Sequence, residues 1–251
     1  MKTKIETNKE YHKSKYISAS GLKSIKNKSV YHFLNQKPFS NKALALGTVV
    51  HSAMLEHESF VNDYYVFPNV DRRTIKGKQE YVKHVLASEN KTLISESDVA
   101  IVKNVKEKLR FHDLAKEYCE GKIELSYYGE MDSIPIRVRP DVVGVDWISD
   151  VKTCQDNSPR AFKRDVYRWG YHLQAAFYSD ALGFPAENFR FLAVEVKYPY
   201  TIEVYALSKE MIDYGRKAYL EALANWKLYL DTGIQTGYKG TDYTNDGAII
   251  I

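Results

Sequence analysis

Cysteine is scarce in this sequence. Cys119 and Cys154 are the only two in 251 residues, too few for a four-thiolate iron–sulfur or zinc site within one chain and a poor basis for a disulfide framework. An apolar signal-type stretch is lacking too, because the chain starts MKTKIETNKEYHKSKY, and no run approaches the ~20 apolar residues that span a bilayer. These absences predict an intracellular, soluble protein. Repeats, low-complexity blocks and interdomain linkers are also missing. The expectation is therefore one domain over 1–251, with a basic head at 1–42 and a loosely held tail at 232–251.

What is present is ordinary globular material, 44% hydrophobic and 27% charged, enough to bury one substantial core. The net charge of +4 hides an asymmetry: residues 1–42 carry ten lysines against two acidic residues, a balance of +8, so the remainder sums to −4. Such a head is either a polyanion contact or a solvated tail. The 20 tyrosines against 7 prolines separate no functions, since stacking platforms and half-buried strands both use tyrosine.

Ile17 to Ile25 (ISASGLKSI) sets hydroxyls ahead of a helical apolar spacing and predicts a capped helix carrying its lysines outward. A helix buried on one side is expected over Leu44 to Phe60. Asp71 to Lys78 (DRRTIKGK) resists any periodic reading and predicts an exposed loop. Two amphipathic helices are expected within Gln79 to Glu120, the second from near Ser97. Three neighbouring strands follow at Ile123–Tyr128, Ile134–Val145 and Trp147–Thr153. Helices over Ser158–Trp169 and Tyr171–Leu182, broken at Gly170, precede a strand pair at Phe189–Lys197 and Ile202–Leu207 and a long helix over Lys209–Leu230. This order predicts an α/β or α+β core.

The chemistry concentrates where Arg139-Pro140-Asp141 is followed, nine positions after the aspartate, by Asp150-Val151-Lys152. Side chains two apart on a strand share a face, so Asp150 and Lys152 project together. If the turn near Gly144 folds one strand onto the next, Asp141 reaches the same place. Two carboxylates beside an ammonium form an oxygen-rich pocket suited to Mg²⁺ or Mn²⁺. Taken alone, a D-x-K on a strand is more often a surface ion pair.

Four motifs in order resemble the PD-(D/E)xK nuclease superfamily and, within it, the phage and prophage exonuclease VIII (RecE-type) group. Pro140-Asp141 matches the PD aspartate, and Asp150 with Lys152 matches the D-x-K half. Gly47-Thr48-Val49-Val50-His51 matches G-x-x-x-H, and Gln174-Ala175-Ala176-Phe177-Tyr178 matches Q-x-x-x-Y. Asp71-Arg72-Arg73-Thr74 with Gly77-Lys78, and Glu124 with Ser126, are also similar to the group's patterns. The resemblance runs from about Ile17 to Tyr229 and departs at Lys28-Ser29-Val30, where the family usually has a Ser-Pro element.

The resemblance implies a central mixed β-sheet flanked by helices, the restriction-endonuclease-like core. It implies an Mg²⁺-dependent deoxyribonuclease, Mn²⁺ also serving, with no iron–sulfur cluster. His51, Asp141, Asp150 and the Val151 carbonyl would be metal ligands and Lys152 would position the attacking water. Gln174, Tyr178 and Glu124 would stand beside the reacting centre. The substrate implied is linear double-stranded DNA, degraded 5′ to 3′ from its ends to leave 3′ single strands for a RecT-type annealing protein. A ring-shaped trimer or tetramer in the cytoplasm of a bacterial host would do this, with no membrane involved. A PD-(D/E)xK endonuclease and a catalytically silent DNA-binding protein are the alternatives.

Each residue also has a plainer reading. A lone His51 among apolar neighbours is often a core histidine, and Glu124 a strand-edge charge. The Gln174–Tyr178 face, one helical turn long, could merely pack on the sheet. Arg160, Lys163, Arg164 and Arg168 follow helical spacing opposite Phe162, Val166 and Trp169, as a DNA backbone track or a solvated face would. Arg72, Arg73, Lys76 and Lys78 suit phosphate contact on the expected loop. Cys154 has no base or redox partner and no assigned role.

Overall fold

The computed structural model describes residues 1–37, 41–56, 60, 62–238 and the backbone of 242–243 and 249–250. The basic head is folded into the body. β1 (Lys2–Lys4) pairs with a central strand, and α1 (Asn8–Lys13), α2 (Ala19–Asn27) and α3 (Val30–Leu34) follow. Ser18 caps α2 by accepting from the Gly21 amide, as the hydroxyl pattern predicts. α2 buries Ala19, Leu22 and Ile25, and its lysines do not all point outward. Lys23 turns inward onto Gln174, while Lys26 pairs with Glu221 at 2.6 Å. The solvated-tail reading of the head is thereby overturned.

α4 (Lys42–Leu55) is capped by Asn41, and the expected extension to Phe60 crosses 57–59, outside the described residues. After β2 (Tyr64–Phe67), the segment expected to be a loop is largely helix. Thr74 accepts from the Gly77 amide and starts α5 (Ile75–Ala87), so Lys76 and Lys78 lie in its first turn. Gly77 is required there, because a Cβ would lie 1.9 Å from the Asp71 carbonyl oxygen. The cap and the close approach are legible in T-I-K-G only once helix is considered. β3 (Thr92–Ser95), parallel to β2, falls inside a stretch expected to be helical, being too short to show a period. A capping box between Ser95 and Asp98 opens α6 (Glu96–Arg110), and α7 (Asp113–Glu117) follows.

The three expected strands are five. β4 (Lys122–Ile123), β5 (Ser126–Met131), β6 (Ile134–Val138), β7 (Val142–Val143) and β8 (Ile148–Cys154) divide between two sheets. β1, β5 and β6 make one; β4, β7 and β8 join later strands in the other. Then come α8 (Pro159–Arg168), α9 (Tyr171–Leu182), β9 (Phe189–Glu195), β10 (Ile202–Tyr205) and α10 (Lys209–Thr232). The larger sheet has the order β10-β9-β8-β7-β4, mixed because β8 and β9 are parallel while the other pairs are antiparallel. Beyond α10, residues 233–238 carry no regular structure, 242–243 pair with 249–250, and the rest of the expected tail lies outside the described residues.

Apolar residues cover this sheet on both faces. Phe162, Phe177, Phe189 and Phe191 pack one side with α8, α9 and α10, and Val50, Val102, Leu192 and Val194 pack the other with α4 and α6. Each such buried side chain contributes roughly 1.5–3 kcal/mol. Trp169, expected with Phe162 and Val166 on the buried side of α8, is half exposed at its C-terminus beneath the Arg168 guanidinium. No described helix is long and apolar enough to cross a membrane.

Candidate active site

The site lies where one long hairpin changes sheets. β4 pairs β7 with Lys122 opposite Val143, and β5 pairs β6 with Tyr127 opposite Val138. Both ladders share one register, which carried across the gap sets Glu124 opposite Asp141. The Glu124 amide indeed donates to the Asp141 carbonyl at 3.0 Å. The gap has a cause on each strand: Pro140 lacks a donor for the ladder, and Glu124 has a left-handed φ of 50°, a strained choice for a residue with a side chain. On the other side β7 pairs β8 with Val142 opposite Ser149, which sets Asp141 opposite Asp150. Three carboxylates therefore lie in a row across three strands, and directly opposed side chains share a face.

His51 reaches this row from α4. At Gly47, one turn earlier, a Cβ would lie only 3.1 Å from Thr153 Oγ1 on β8, so the glycine lets the helix approach the sheet closely. His51 Nε2 lies 3.1 Å from Asp141 Oδ2 and 3.2 Å from Glu124 Oε1, yet it makes no well-directed hydrogen bond to either. Asp141 Oδ2 also accepts from the Val151 amide at 2.6 Å. Arg139 Nε holds Glu124 Oε2 at 2.8 Å.

Beside this group, Lys152 Nζ sits against Asp150 Oδ2 and 4.9 Å from the Tyr171 ring centre. Gln174 fills a bridging place: its Nε2 donates to Asp150 Oδ1 at 2.5 Å, and its Oε1 accepts from Lys23 Nζ at 2.8 Å. The glutamine's need for partners is thus met inside the protein. Tyr178, one turn on, is buried, and its hydroxyl lies near the Arg139 backbone and the Asp150 and Asp141 carboxylates. Through Gln174 the Q-x-x-x-Y face of α9 braces the Asp150 strand. Lys23 is the residue that sequence reasoning misses. Its only signal is a place next to Leu22 and one turn after Ala19 on the buried side of α2.

Burial and mutual charge shift these groups. For His51, burial opposes the charged form, but the Asp141 and Glu124 carboxylates outweigh it and raise the imidazole to about 9. Burial and the Asp141 charge push Glu124 up to about 7, and the same two causes raise Asp150. Asp141 is held low despite its burial, chiefly by His51 and Lys152. Lys152 overcomes burial through Asp150 and Asp141 and stays charged. Lys23 falls to about 7 through burial and the nearby Lys152 ammonium. Cys154 is pushed up to about 12 by burial, as an inert thiol should be.

One ligand atom each from His51, Glu124 and Asp141 lies within 4.8 Å of the others. An octahedral cation about 2.1 Å from its ligands sets neighbouring ligand atoms roughly 3.0 Å apart. The 3.1 and 3.2 Å separations around His51 Nε2 fit that edge. Carboxylate oxygens suit Mg²⁺ and Mn²⁺, and the softer imidazole nitrogen favours Mn²⁺ over Mg²⁺. Asp150 stands next in the row with both oxygens engaged by Gln174 and Lys152, and the Val151 amide points to Asp141.

The expected DNA-contacting residues lie apart from this cluster. Arg160, Lys163, Arg164 and Arg168 are all exposed on α8. Arg73 is held by two hydrogen bonds to Asp71, and Arg72 stacks over Tyr81. Lys76 and Lys78 are exposed.

A helix-flanked mixed sheet with Asp141, Asp150 and Lys152 on neighbouring strands defines a PD-(D/E)xK core, and with it the nuclease class. The chain belongs to the PDDEXK-like domain family of unknown function, DUF3799, whose profile matches residues 18–240. No curated protein matches the sequence. Among solved structures, a protein of Eubacterium rectale named "Putative exonuclease" has a similar fold, with a TM-score of 0.61 at 12% identity over 93% of this chain and 90% of that one. SSO0001 aligns over 74% of this chain and 88% of its own at 12% identity, with a TM-score of 0.30 that carries no argument.

Proposed function

We propose that the protein is a divalent-metal-dependent deoxyribonuclease that hydrolyses phosphodiester bonds from the ends of linear double-stranded DNA. The convergence of His51, Glu124 and Asp141 beside the Asp150–Lys152 pair carries this reading. The motif resemblance to the RecE-type group supports the finer part: 5′ to 3′ degradation, 3′ single strands passed to an annealing protein, and a ring-shaped trimer or tetramer.

His51, Glu124 and Asp141 would hold the cation, with Asp150 and the Val151 carbonyl as the further ligands the resemblance implies. When bound, it supplies Lewis-acid neutralisation of the scissile phosphate and makes water more acidic. Lys152, kept charged by Asp150 and Asp141, donates from Nζ. It orients the attacking water and offsets developing negative charge, and it is not the proton acceptor. Gln174 fixes Asp150, and Tyr178 packs buried one turn further along the same helix. The exposed α8 cations offer the DNA backbone a track.

The test is a time course on duplexes labelled separately at each 5′ and 3′ end, with Mg²⁺, with EDTA and with Lys152→Ala. Early release of the 5′ label, with Mg²⁺ only and not from the variant, is expected. Release of the 3′ label first would reverse the polarity, and efficient cutting of closed circular DNA would replace exonuclease with endonuclease. Binding without Mg²⁺-dependent degradation would leave only a DNA-binding protein.

A further inference from the structure

Arg139 ties the cation cluster to the basic head. Its Nε lies 2.8 Å from Glu124 Oε2 and donates to the Glu124 carbonyl at 2.9 Å, so one nitrogen holds both ends of that residue. The other two nitrogens reach the head. Nη2 donates to the Glu6 carbonyl at 2.8 Å and Nη1 to Asn8 Oδ1 at 3.3 Å, a set of contacts that needs the planar fork of a guanidinium. The head end is itself held. β1 pairs with β5, Lys4 opposite Ser126; Glu6 accepts from the Tyr128 hydroxyl at 2.5 Å; and a Thr7–Glu10 capping box starts α1. Tyr11 on α1 is buried, its ring centre 5.4 Å from the Arg139 guanidinium and 4.3 Å from that of Arg137, which seats both cations on the head.

Glu124 needs such a hold. It sits between β4 and β5, where the ladder is broken, with a left-handed φ of 50°, so regular strand pairing does not orient its side chain. With Oε2 engaged by Arg139, Oε1 is the oxygen that faces His51 Nε2, at 3.2 Å. A ligand fixed in place beforehand loses little freedom when a cation binds, and partners that orient metal ligands are typically worth about 10–100-fold in affinity.

We propose that the segment from Glu6 to Tyr11 is a latch on the cation site: acting through Arg139 it positions Glu124, and the head thereby sets the affinity for a divalent cation. This role is distinct from both polyanion contact and a solvated tail. Arg139 is a positioning residue and touches no reacting atom. The proposal rests on the reading of His51, Glu124 and Asp141 as a cation site, and on nothing about the substrate. The coupling is reciprocal: a cation that draws Glu124 into place also steadies Arg139 and the head segment bonded to it.

Isothermal titration of Mn²⁺ into the DNA-free protein reads the affinity without catalysis. Arg139→Lys keeps a charge beside Glu124 but lacks the fork that also reaches the Glu6 carbonyl, and should weaken binding about 10–100-fold. Asn8→Ala, an exposed change that keeps the fold, should weaken it about threefold, the loss of one hydrogen bond. In a Glu124→Gln background Arg139→Lys should add little further loss, because it acts through that carboxylate. Hydrogen exchange of the amides around α1 should slow when Mn²⁺ is added to the wild type and not to Arg139→Lys. Wild-type affinity in either single variant, an undiminished loss in the Glu124→Gln background, or exchange around α1 indifferent to Mn²⁺ would overturn the latch alone. Failure of the wild type to bind Mn²⁺ would overturn the cation site together with the latch. Mn²⁺ binding that follows the expected pattern in a protein that degrades no DNA would uphold the latch and sink the nuclease reading.

Discussion

Asp150 and Lys152 touch each other, Gln174 and Lys23 close around them, and little of this group meets water. On α8, by contrast, Arg160, Lys163, Arg164 and Arg168 stand exposed, and the nearest acid to Arg164 is Asp165 at 3.8 Å. The difference is one of dielectric. In the interior each charge shifts its neighbours and removal of one leaves another stranded. On the surface salt and water screen each cation, and the charges act on a partner one by one. Changes at the centre should therefore be large and non-additive, and changes on the surface small and additive.

The largest effect expected is that of Lys152→Ala, a fall in kcat of about 10³-fold, comparable to losing one pre-set donor at a developing charge. Divalent-metal binding, followed by titration, should persist. An equal loss of metal binding would mean that Lys152 acts by holding Asp150. Next is Gln174→Ala, which frees Asp150 Oδ1 and Lys23 together. A fall of about 10–100-fold in kcat is expected, the range for residues that orient metal-site groups, with KM nearly unchanged. A change in KM alone would move Gln174 from positioning to substrate binding.

A third effect is in pH. Glu124 ordinarily titrates at 4.5 and is pushed up to about 7 in the folded chain, so between these values the folded state holds a proton that the unfolded state releases. Stability therefore falls as pH rises through that window. Asp150, also raised, acts in the same sense from lower pH, and His51 adds to it above 6.5. Lys23, lowered to about 7, opposes it above that pH, and His12 and His172, both lowered by burial, oppose it below 6.5. The Glu124 share, read in thermal melts in EDTA as wild type against Glu124→Gln, should be a loss of roughly 1–3 kcal/mol between pH 5 and 7. Mg²⁺ or Mn²⁺ should oppose the loss, because the ligands must be deprotonated to bind and metal affinity rises with pH. The same slope in Glu124→Gln would place the titrating proton elsewhere.

The contrast between centre and surface also explains what could be seen in the sequence. Asp141, Asp150 and Lys152 are legible because the strand period and one hairpin suffice to bring them together, and α9 is legible from its full apolar run. The place of Glu124 beside His51 is not, because it depends on two ladders sharing a register across a break that Pro140 and a left-handed backbone create. Lys23 requires the packing of α2 against α9, a contact between residues 151 positions apart. Asp71 to Lys78 misled because its charges hide a helix cap. Thr74 and Gly77 determine the backbone there, and the cations are passengers.

That last segment gives the smallest expected effect and the finest test of the comparison. Arg73 already spends its guanidinium on Asp71, with hydrogen bonds of 2.9 and 3.0 Å, whereas Lys76 is exposed in the first turn of α5. A cation at a helix N-terminus is disfavoured by the helix dipole, so a phosphate beside Lys76 relieves a local repulsion as well as pairing a charge. Lys76→Ala should weaken DNA binding and lower the slope of log K against log salt by about 1, as one lost phosphate contact does. Lys163→Ala on α8 should do the same, and the two should add. Arg73→Ala should change the slope by much less, because its charge is already paired. A full unit lost with Arg73→Ala would show that DNA displaces Asp71, and the surface would then be coupled in the way the centre is.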